Sequence, residues 1–346
     1  MQSPLGINGS TDRVTIREVA ILAGVGTKTV SRVMNNEPNV RPETAARVRD
    51  AAAKLRYEPD LYAGNLRRRD RSTGSIGLLL ADASDPFEAS MQRAIEAEVE
   101  RRGMVMITMS VDENPARQRR AVNEMLRRRV DGLILMPAGR SDGYLTEIQE
   151  RGLPMVFVDR HADGSAADTI LTNNVEASQV AARQLVNLGH RQIALVGKPH
   201  EIETERVREQ GFLDEVRRTG GEEVDVQVRM GMSDDKETTS VALELLQSSK
   251  PPTAFFATQN MITVGTVRAL HRLGLQDRVA LIGFDDFPLA DVLAPGITVL
   301  QQNPAEMGRI AARRLLERID GLEGDPRLDI VVSPLIQRGS GEIRPG

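Results

Sequence analysis

The chain has 346 residues, of which 40% are hydrophobic and 27% charged, as in a globular protein that buries a sizeable core. It contains no cysteine, which excludes disulfide bonds, thiolate metal sites and cysteine nucleophiles. The polar start MQSPLGINGSTDRVT lacks the apolar run of a signal peptide, and no segment approaches the ~20 apolar residues of a membrane span. We therefore expect a cytoplasmic protein with about two or three domains.

Charge is unevenly distributed along the chain. Residues 1–73 contain 13 Lys and Arg against 8 Asp and Glu, whereas the remainder contains 32 against 41. The first segment therefore carries +5 and the rest −9, within a net charge of −4. A basic head on an acidic body indicates a polyanionic partner for the head alone, although chance surface composition is the simpler alternative.

The first predicted element is a helix that follows Thr15. Thr15 is a good N-cap, and Glu18 three residues later completes a capping box. Gly24 and Gly26 flank a turn, because glycine adopts a positive φ at little cost. A second helix, at about 27–34, begins almost at once. Two helices joined by a short turn that contains glycine are typical of a helix-turn-helix.

The second helix has an apolar stripe and a polar outer face. Val30, Val33 and Met34 form the stripe, and a third helix at about 42–55 can close the bundle over it. The outward residues are hydroxyls and cations: Thr27, Lys28, Thr29, Ser31 and Arg32. Such groups suit base edges and phosphates. The alternative is a small helical cap with a solvated polar face.

The amino-acid sequence of this segment is specific to one family. VTIREVAILAGVGTKTVSRVMNN, RVRDAAAKLRYEPD and AGNLRRR closely resemble the DNA-binding headpiece of the lactose-repressor (LacI/GalR) family of bacterial transcription regulators. The resemblance implies that Thr27, Lys28 and Arg32 read bases. It also implies phosphate contacts for the following residues: Thr15, Thr29, Ser31 and Asn35. Arg41, a poor N-cap, departs from the Ser or Thr that the family usually has before the third helix.

Residues 59–72 are predicted to form a linker after the headpiece at 14–58. The stretch YEPDLYAGNLRRRDRSTGS can form only a short helix, which is marginal alone in water. The resemblance implies a hinge helix that folds on operator DNA. Leu66 then matches an apolar wedge in the minor groove, Ala63 a small packing residue and Arg67 a basic groove contact.

From residue 73 to 340, apolar runs alternate with amphipathic helices. The runs read as buried strands in two successive series: SIGLLLAD, MVMITMS, VDGLILMP and PMVFVDR, then QIALVGK, VDVQVRM, TAFFATQ and VALIGFDD. Near-continuous apolar strands with crossover helices predict doubly wound parallel α/β sheets in two lobes. We predict lobe one at about 73–160 plus 291–320, and lobe two at about 161–290 plus 321–340.

Polar side chains follow several of these strands, where ligands bind in parallel sheets. The motifs LGHRQIALVG, ERVREQGF, TQNMITVG and VALIGFDD are similar to the family's effector-binding body, which resembles periplasmic sugar-binding proteins in fold. The candidate effector-binding residues are Asp85, Phe87, Asp159, Arg160, Arg206, Gln259 and Asp285. Carboxylates, amides and arginines around an aromatic ring suit a polyhydroxylated ligand such as a sugar or nucleoside.

Catalytic motifs are absent from the sequence. It contains no HExxH, GxSxG, P-loop or dinucleotide-binding motif, and its four histidines lack metal-ligand spacing. We therefore predict no enzyme activity, cofactor or metal, but a homodimeric repressor that binds a pseudo-palindromic operator under effector control. The alternatives are a solute-binding protein of a transport system and an enzyme on the same fold.

Overall fold

The computed structural model describes residues 14–34, 38, 40–57, 72–139, 143–162 and 164–346. The chain divides into two compact units, Met1–Thr73 and Gly74–Gly346, and each is treated separately. The predictions for Asn35 and for the hinge residues Ala63, Leu66 and Arg67 lie outside the described residues. No helix in the described ranges is long and apolar enough to cross a membrane.

The first unit contains the three predicted helices: α1 (Ile16–Ala23), α2 (Thr27–Met34) and α3 (Pro42–Leu55). Helix α1 follows Thr15 as predicted, and the predicted bounds of α2 and α3 are confirmed. The Glu18 carboxylate accepts hydrogen bonds from Thr15 N–H and Thr15 Oγ1–H at 2.6 and 2.8 Å, so Thr15 stabilises the start of α1. Gly24 ends this helix with φ of 66°. The three helices bury one small apolar core, which consists of Val19, Ala20, Ala23, Val30, Val33, Val48, Ala51 and Ala52.

The second unit is an α/β structure in which helices separate most strands. Its elements in chain order are β1 (Ser75–Leu80), α4 (Pro86–Arg101), β2 (Val105–Ser110), α5 (Pro115–Arg127), β3 (Gly132–Leu135), α6 (Tyr144–Glu150), β4 (Met155–Val158), β5 (Asp168–Thr172), α7 (Asn174–Asn187), β6 (Gln192–Gly197), α8 (Glu203–Gly220), β7 (Asp225–Met230), α9 (Asp235–Leu246), β8 (Ala254–Ala257), α10 (Asn260–Leu273), β9 (Ala280–Phe284), β10 (Thr298–Leu300), α11 (Pro304–Ile319), β11 (Leu328–Val331) and β12 (Leu335–Ile336). The eight apolar runs of the sequence all form strands, as predicted.

These strands form two six-stranded sheets, one in each lobe. The order is β11-β5-β4-β3-β1-β2 in lobe one and β12-β10-β9-β8-β6-β7 in lobe two. All neighbours are parallel except β10 and β12. Apolar clusters cover both faces of each sheet, so each lobe has the doubly wound architecture that was predicted.

The predicted lobe boundaries were wrong in three segments. Strands β5 and β11 pair with each other in the sheet of lobe one, although the sequence prediction assigned both to lobe two. Strand β10 belongs to lobe two, not to lobe one. The chain therefore crosses between lobes near residues 173, 302 and 333. The prediction failed because none of the three strands lies in a long apolar run: β5 (DTILT) and β11 (LDIV) are interrupted by Asp and Thr, and β10 has only three residues.

Candidate functional site

The first candidate site is the outer face of α2. Val30 and Val33 are buried, which turns Thr27, Lys28 and Arg32 outward, where all three are exposed. Thr29 and Ser31 are half-buried on the flanks, and Thr15 is exposed at the start of α1. The outer face of α2 thus carries two cations, Lys28 and Arg32, together with the hydroxyls of the threonines and of Ser31. Helix α2 contains no acidic residue that would offset these charges.

The second candidate site is a cavity between the lobes of the second unit, at the carboxyl ends of the strands. It encloses about 420 Å³ of empty space, including its open mouth. Six of the seven predicted effector-binding residues line it: Asp85, Phe87, Asp159, Arg160, Gln259 and Asp285. The sequence prediction did not include the other lining residues, of which the polar ones are Glu88, Glu113, Lys198, Thr204, Glu205, Arg208 and Gln302.

The prediction for Arg206 was wrong about its position. Arg206 is exposed on α8 and does not line the cavity, whereas Arg208 is 3% exposed and does. The two residues are two positions apart on a helix, so they project about 200° from each other. Arg208 lies on the same face as the fully buried Phe212, four residues later.

Arg208 is held from several sides in lobe two. Its Nε donates to Asn174 Oδ1 at 2.8 Å and its Nη1 to the Thr258 carbonyl at 2.7 Å. The guanidinium lies 3.7 Å from the ring centroid of Phe284 and 4.0 Å from a carboxylate oxygen of Asp285. Arg208 is therefore oriented before any ligand binds.

Asp285 follows β9 with φ of 68°, a left-handed conformation that Asp tolerates. Gln302 donates to its Oδ1. Burial raises the pKa of Asp285 to about 7. The positive charge of Arg208 and the hydrogen bond from Gln302 lower this pKa, but by less than burial raises it. The negative charges of Asp85 and Asp159 raise it further. This carboxyl can therefore donate or accept a hydrogen bond near neutral pH.

Arg160 forms the central ion pair of lobe one. It contacts Glu113 at 2.7 Å and Asp159 at 3.1 Å, and its side chain is 7% exposed. Burial alone would lower the pKa of Arg160, but the two carboxylates outweigh it and raise the pKa. Asp159 follows β4 with φ of 70°, which matches the conformation of its counterpart Asp285 across the cleft. The two lobes thus present equivalent strand-end aspartates.

Two polar contacts join the lobes at the edges of the cleft. Asp85, the N-cap of α4, accepts from Gln259 Nε2 at 2.9 Å and from Asn260 Nδ2 at 3.1 Å. On the other side, the backbone N–H of His161 donates to Glu203 at 2.8 Å, and His161 Nδ1 lies 3.0 Å from the same carboxylate. These contacts connect the two lobes directly across the cleft.

Comparison with family models matches both units of the chain. Residues 15–60 match the model described as bacterial regulatory proteins, lacI family. Residues 182–341 match the periplasmic binding protein-like domain. The first match covers the helix-turn-helix, and the second covers most of lobe two together with α11 and β11.

Known proteins resemble the chain over almost its whole length. The transcriptional repressor PurR of Proteus mirabilis is 32% identical over 333 residues, which are 94% of this chain and 96% of that protein. The Lac repressor dimer bound to operator and the anti-inducer ONPF is 25% identical with a TM-score of 0.83, over 95% of this chain and 99% of that one. The complex of the regulator CelR with cellobiose is 27% identical with a TM-score of 0.69, over 95% and 100%.

Proposed function

Because the chain belongs to the LacI family of bacterial transcriptional regulators, we propose that it is a repressor whose operator affinity is controlled by a small effector bound in the cleft between its lobes. The predicted resemblance to this family and the predicted fold are both confirmed. The observation that carries the proposal is the presence, in one chain, of an exposed cationic face on α2 and a polar cleft between two lobes.

On the DNA side, α2 enters the major groove. Thr27, Lys28 and Arg32 contact base edges, since they are the exposed side chains of this helix. Thr29 and Ser31 on the flanks of α2, and Thr15 at the start of α1, contact phosphates. The roles of Asn35, Ala63, Leu66 and Arg67 stay predictions of the sequence. A homodimer presents two such helices to the half-sites of a pseudo-palindromic operator, and the Lac repressor bound to operator is a dimer.

On the effector side, the cleft suits a polyhydroxylated molecule. Asp159 and Asp285 accept hydrogen bonds from hydroxyls of the ligand, and Arg160 and Arg208 donate hydrogen bonds to its oxygens. Phe87 covers an apolar face of the ligand's ring. A ligand that bridges the lobes changes the contacts at Asp85, because this residue connects α4 to Gln259 and Asn260. The coupling to DNA is reciprocal and typically about 1–3 kcal/mol. We also propose that the protein is cytoplasmic and that it binds its effector without converting it chemically.

The full chain should select a short pseudo-palindromic sequence from random DNA, and Arg32→Ala should lose most of that preference. A base-contacting arginine contributes about 1–3 kcal/mol of discrimination, so the selected site should bind roughly 10- to 100-fold more weakly. Fluorescence anisotropy with the selected oligonucleotide measures this. Arg217→Ala is the control, since Arg217 is a 71% exposed arginine of the second unit. Equal affinity of Arg32→Ala and the control would contradict the α2 assignment.

A further inference from the structure

A buried series of hydrogen bonds joins the two lobes beside the crossings between them. Thr172 ends β5 in lobe one, and Asp285 follows β9 in lobe two. Gln302 lies between β10 and α11, in the segment where the polypeptide crosses back from lobe two to lobe one. The Thr172 hydroxyl donates to Gln302 Oε1, and Gln302 Nε2 donates to Asp285 Oδ1. Thr172, Gln302 and Asp285 are 4%, 7% and 5% exposed, so the series is closed to bulk water.

Thr172 differs from the other two members because it does not line the cavity, whereas Gln302 and Asp285 do. A threonine hydroxyl has a single proton to donate. The other acceptor near this hydroxyl is Met307 Sδ at 3.6 Å, and a thioether sulfur is a weak acceptor, so the proton goes to Gln302 Oε1. Thr172 therefore acts on the cavity only through the Gln302 amide.

The Thr172 hydroxyl determines which end of the Gln302 amide meets Asp285. A glutamine amide has an acceptor oxygen at one end and a donor nitrogen at the other. Because Oε1 accepts from Thr172, Nε2 points to Asp285 and holds its Oδ1. Asp285 Oδ2 accepts no hydrogen bond from the residues that the structure describes, and it lies 4.0 Å from Arg208 Nη1. The protein thus holds one oxygen of this carboxyl and leaves the other to a ligand.

We propose that Thr172 is a positioning residue of the effector response: through Gln302 it holds Asp285 in the orientation that presents one carboxyl oxygen to a hydroxyl of the effector. The inference rests on the proposed function, because it assigns a further residue to the same cleft. Thr172 belongs to lobe one and Asp285 to lobe two, so a rotation of the lobes changes the two hydrogen bonds at Gln302. Effector contact at Asp285 and the arrangement of the lobes are therefore coupled in both directions.

Two substitutions at position 172 separate the hydroxyl from the rest of the side chain. Thr172→Val removes the donor to Gln302 and keeps the β-branched shape. Thr172→Ser keeps the hydroxyl and removes the methyl group. Thr169→Val is the matched control, because Thr169 is 6% exposed on the same strand and donates to the Ala167 carbonyl at 2.9 Å. A role in packing alone predicts that Thr172→Ser is as harmful as Thr172→Val, whereas positioning predicts that Thr172→Ser behaves as the wild type.

The first measurement follows the Asp285 carboxyl in the full-length protein without ligand. Carbon-13 NMR of protein labelled at the aspartate carboxyl carbons gives its titration curve, and Asp285→Asn assigns the signal. Burial raises the pKa of Asp285 to about 7, and the hydrogen bond from Gln302 keeps it below the pKa that burial alone would give. Thr172→Val leaves Gln302 Oε1 without its donor and weakens this bond, so Asp285 should titrate at a higher pH than in the wild type. Thr172→Ser and Thr169→Val should titrate as the wild type does.

The charged groups that act on Asp285 are the same in every variant. They are Arg208 on α8, Asp85 at the start of α4 and Asp159 after β4. A difference between the variants therefore reports the hydrogen bond from Gln302. The proposal is overturned if Asp285 titrates identically in Thr172→Val and the wild type, or if Thr172→Ser shifts the titration as far as Thr172→Val does.

The second measurement concerns release of the selected operator, followed by fluorescence anisotropy with D-glucose, D-galactose, D-ribose and cellobiose as probes. For each sugar that releases the operator from the wild type, Thr172→Val should need about 10-fold more of it, as loss of one buried hydrogen bond would require. Thr172→Ser and Thr169→Val should need the wild-type concentration. An unchanged requirement in Thr172→Val would overturn the proposal. If none of the four sugars releases the operator from the wild type, the effector class of the proposed function is wrong, and the titration of Asp285 still decides the role of Thr172.

Discussion

Glu88 should make the stability of the ligand-free protein depend on pH above neutrality. Burial raises the pKa of Glu88 from an ordinary 4.5 to about 8, because it outweighs the hydrogen bond from Asp82 N–H and the attraction of Arg160. The negative charges of Asp85 and Asp159 act in the same direction as burial. Between pH 4.5 and pH 8 the folded protein therefore holds a proton here that the unfolded chain has released.

The direction in which stability changes with pH follows from this difference in bound protons. Where the folded state binds more protons, the free energy of unfolding falls as the pH rises. Integration from pH 6 to pH 8 gives a loss of about 2 kcal/mol from Glu88 alone. For a unit of this size, a change of 1 kcal/mol shifts Tm by roughly 2–4 °C, so the wild type should lose about 4–8 °C over this interval through Glu88.

Glu88→Gln should remove this part of the slope. At pH 6 both side chains are neutral, whereas at pH 8 about half of the wild-type molecules carry a charge at this buried position. The variant should therefore gain about 2 kcal/mol relative to the wild type between pH 6 and pH 8. A smaller slope remains from Asp285, whose raised pKa of about 7 has the same sign. Urea unfolding at several pH values measures the difference in unfolding free energy between the variant and the wild type. Glu96→Gln is the control, because Glu96 is an exposed residue of the same helix. Parallel pH profiles for Glu88→Gln and the wild type would refute the buried, proton-binding state of Glu88.

Two further predictions concern the arginine of α8 and the hinge. Arg208→Gln should abolish the effector response while operator binding persists, because Arg208 is fixed in the cleft by Asn174 and Thr258. Arg206→Gln should leave the response intact, since Arg206 is exposed outside the cavity, and effector titrations of the operator complex compare the two. A normal response in Arg208→Gln would remove this residue from the site. Leu66→Ala should reduce the preference for operator over random DNA by about 10-fold, as loss of a minor-groove wedge would. Competition binding measures this preference, and an unchanged ratio would contradict the wedge.

Local patterns predicted the helices and the central strands because each is determined by its own residues. Helix α3 begins at Pro42, whose fixed φ suits the first helical position, and its apolar spacing continues to Leu55. The central strands are buried on both faces and are therefore apolar throughout. Strand β11 is an edge strand in which exposed and half-buried residues alternate, so it has no such run. Its membership of lobe one depends on pairing with β5, which is distant in sequence.

The candidate site was predictable at the ends of strands and less so on helices. Asp159 and Asp285 follow strands directly, and the topology of a parallel sheet brings such positions together. A helix adds a rotation of 100° per residue, so an error of two positions moves a side chain to the opposite face. Arg208 could have been found from its spacing of four residues to Phe212. Glu88 could have been suspected from its spacing of three residues to Asp85, which places both on one side of α4.

The three crossings between the lobes determine the order in which the protein can be completed during synthesis. Lobe one begins with β1, yet α11 and β11 come from residues 304–331. Nearly all of lobe two is therefore synthesised before α11, which packs against α4, and before β11, which pairs with β5. Until then, the apolar face that receives Met307, Ala311 and Leu315 is open to solvent. Truncation before residue 304 should consequently disable the first lobe, although the missing residues lie at the far end of the chain.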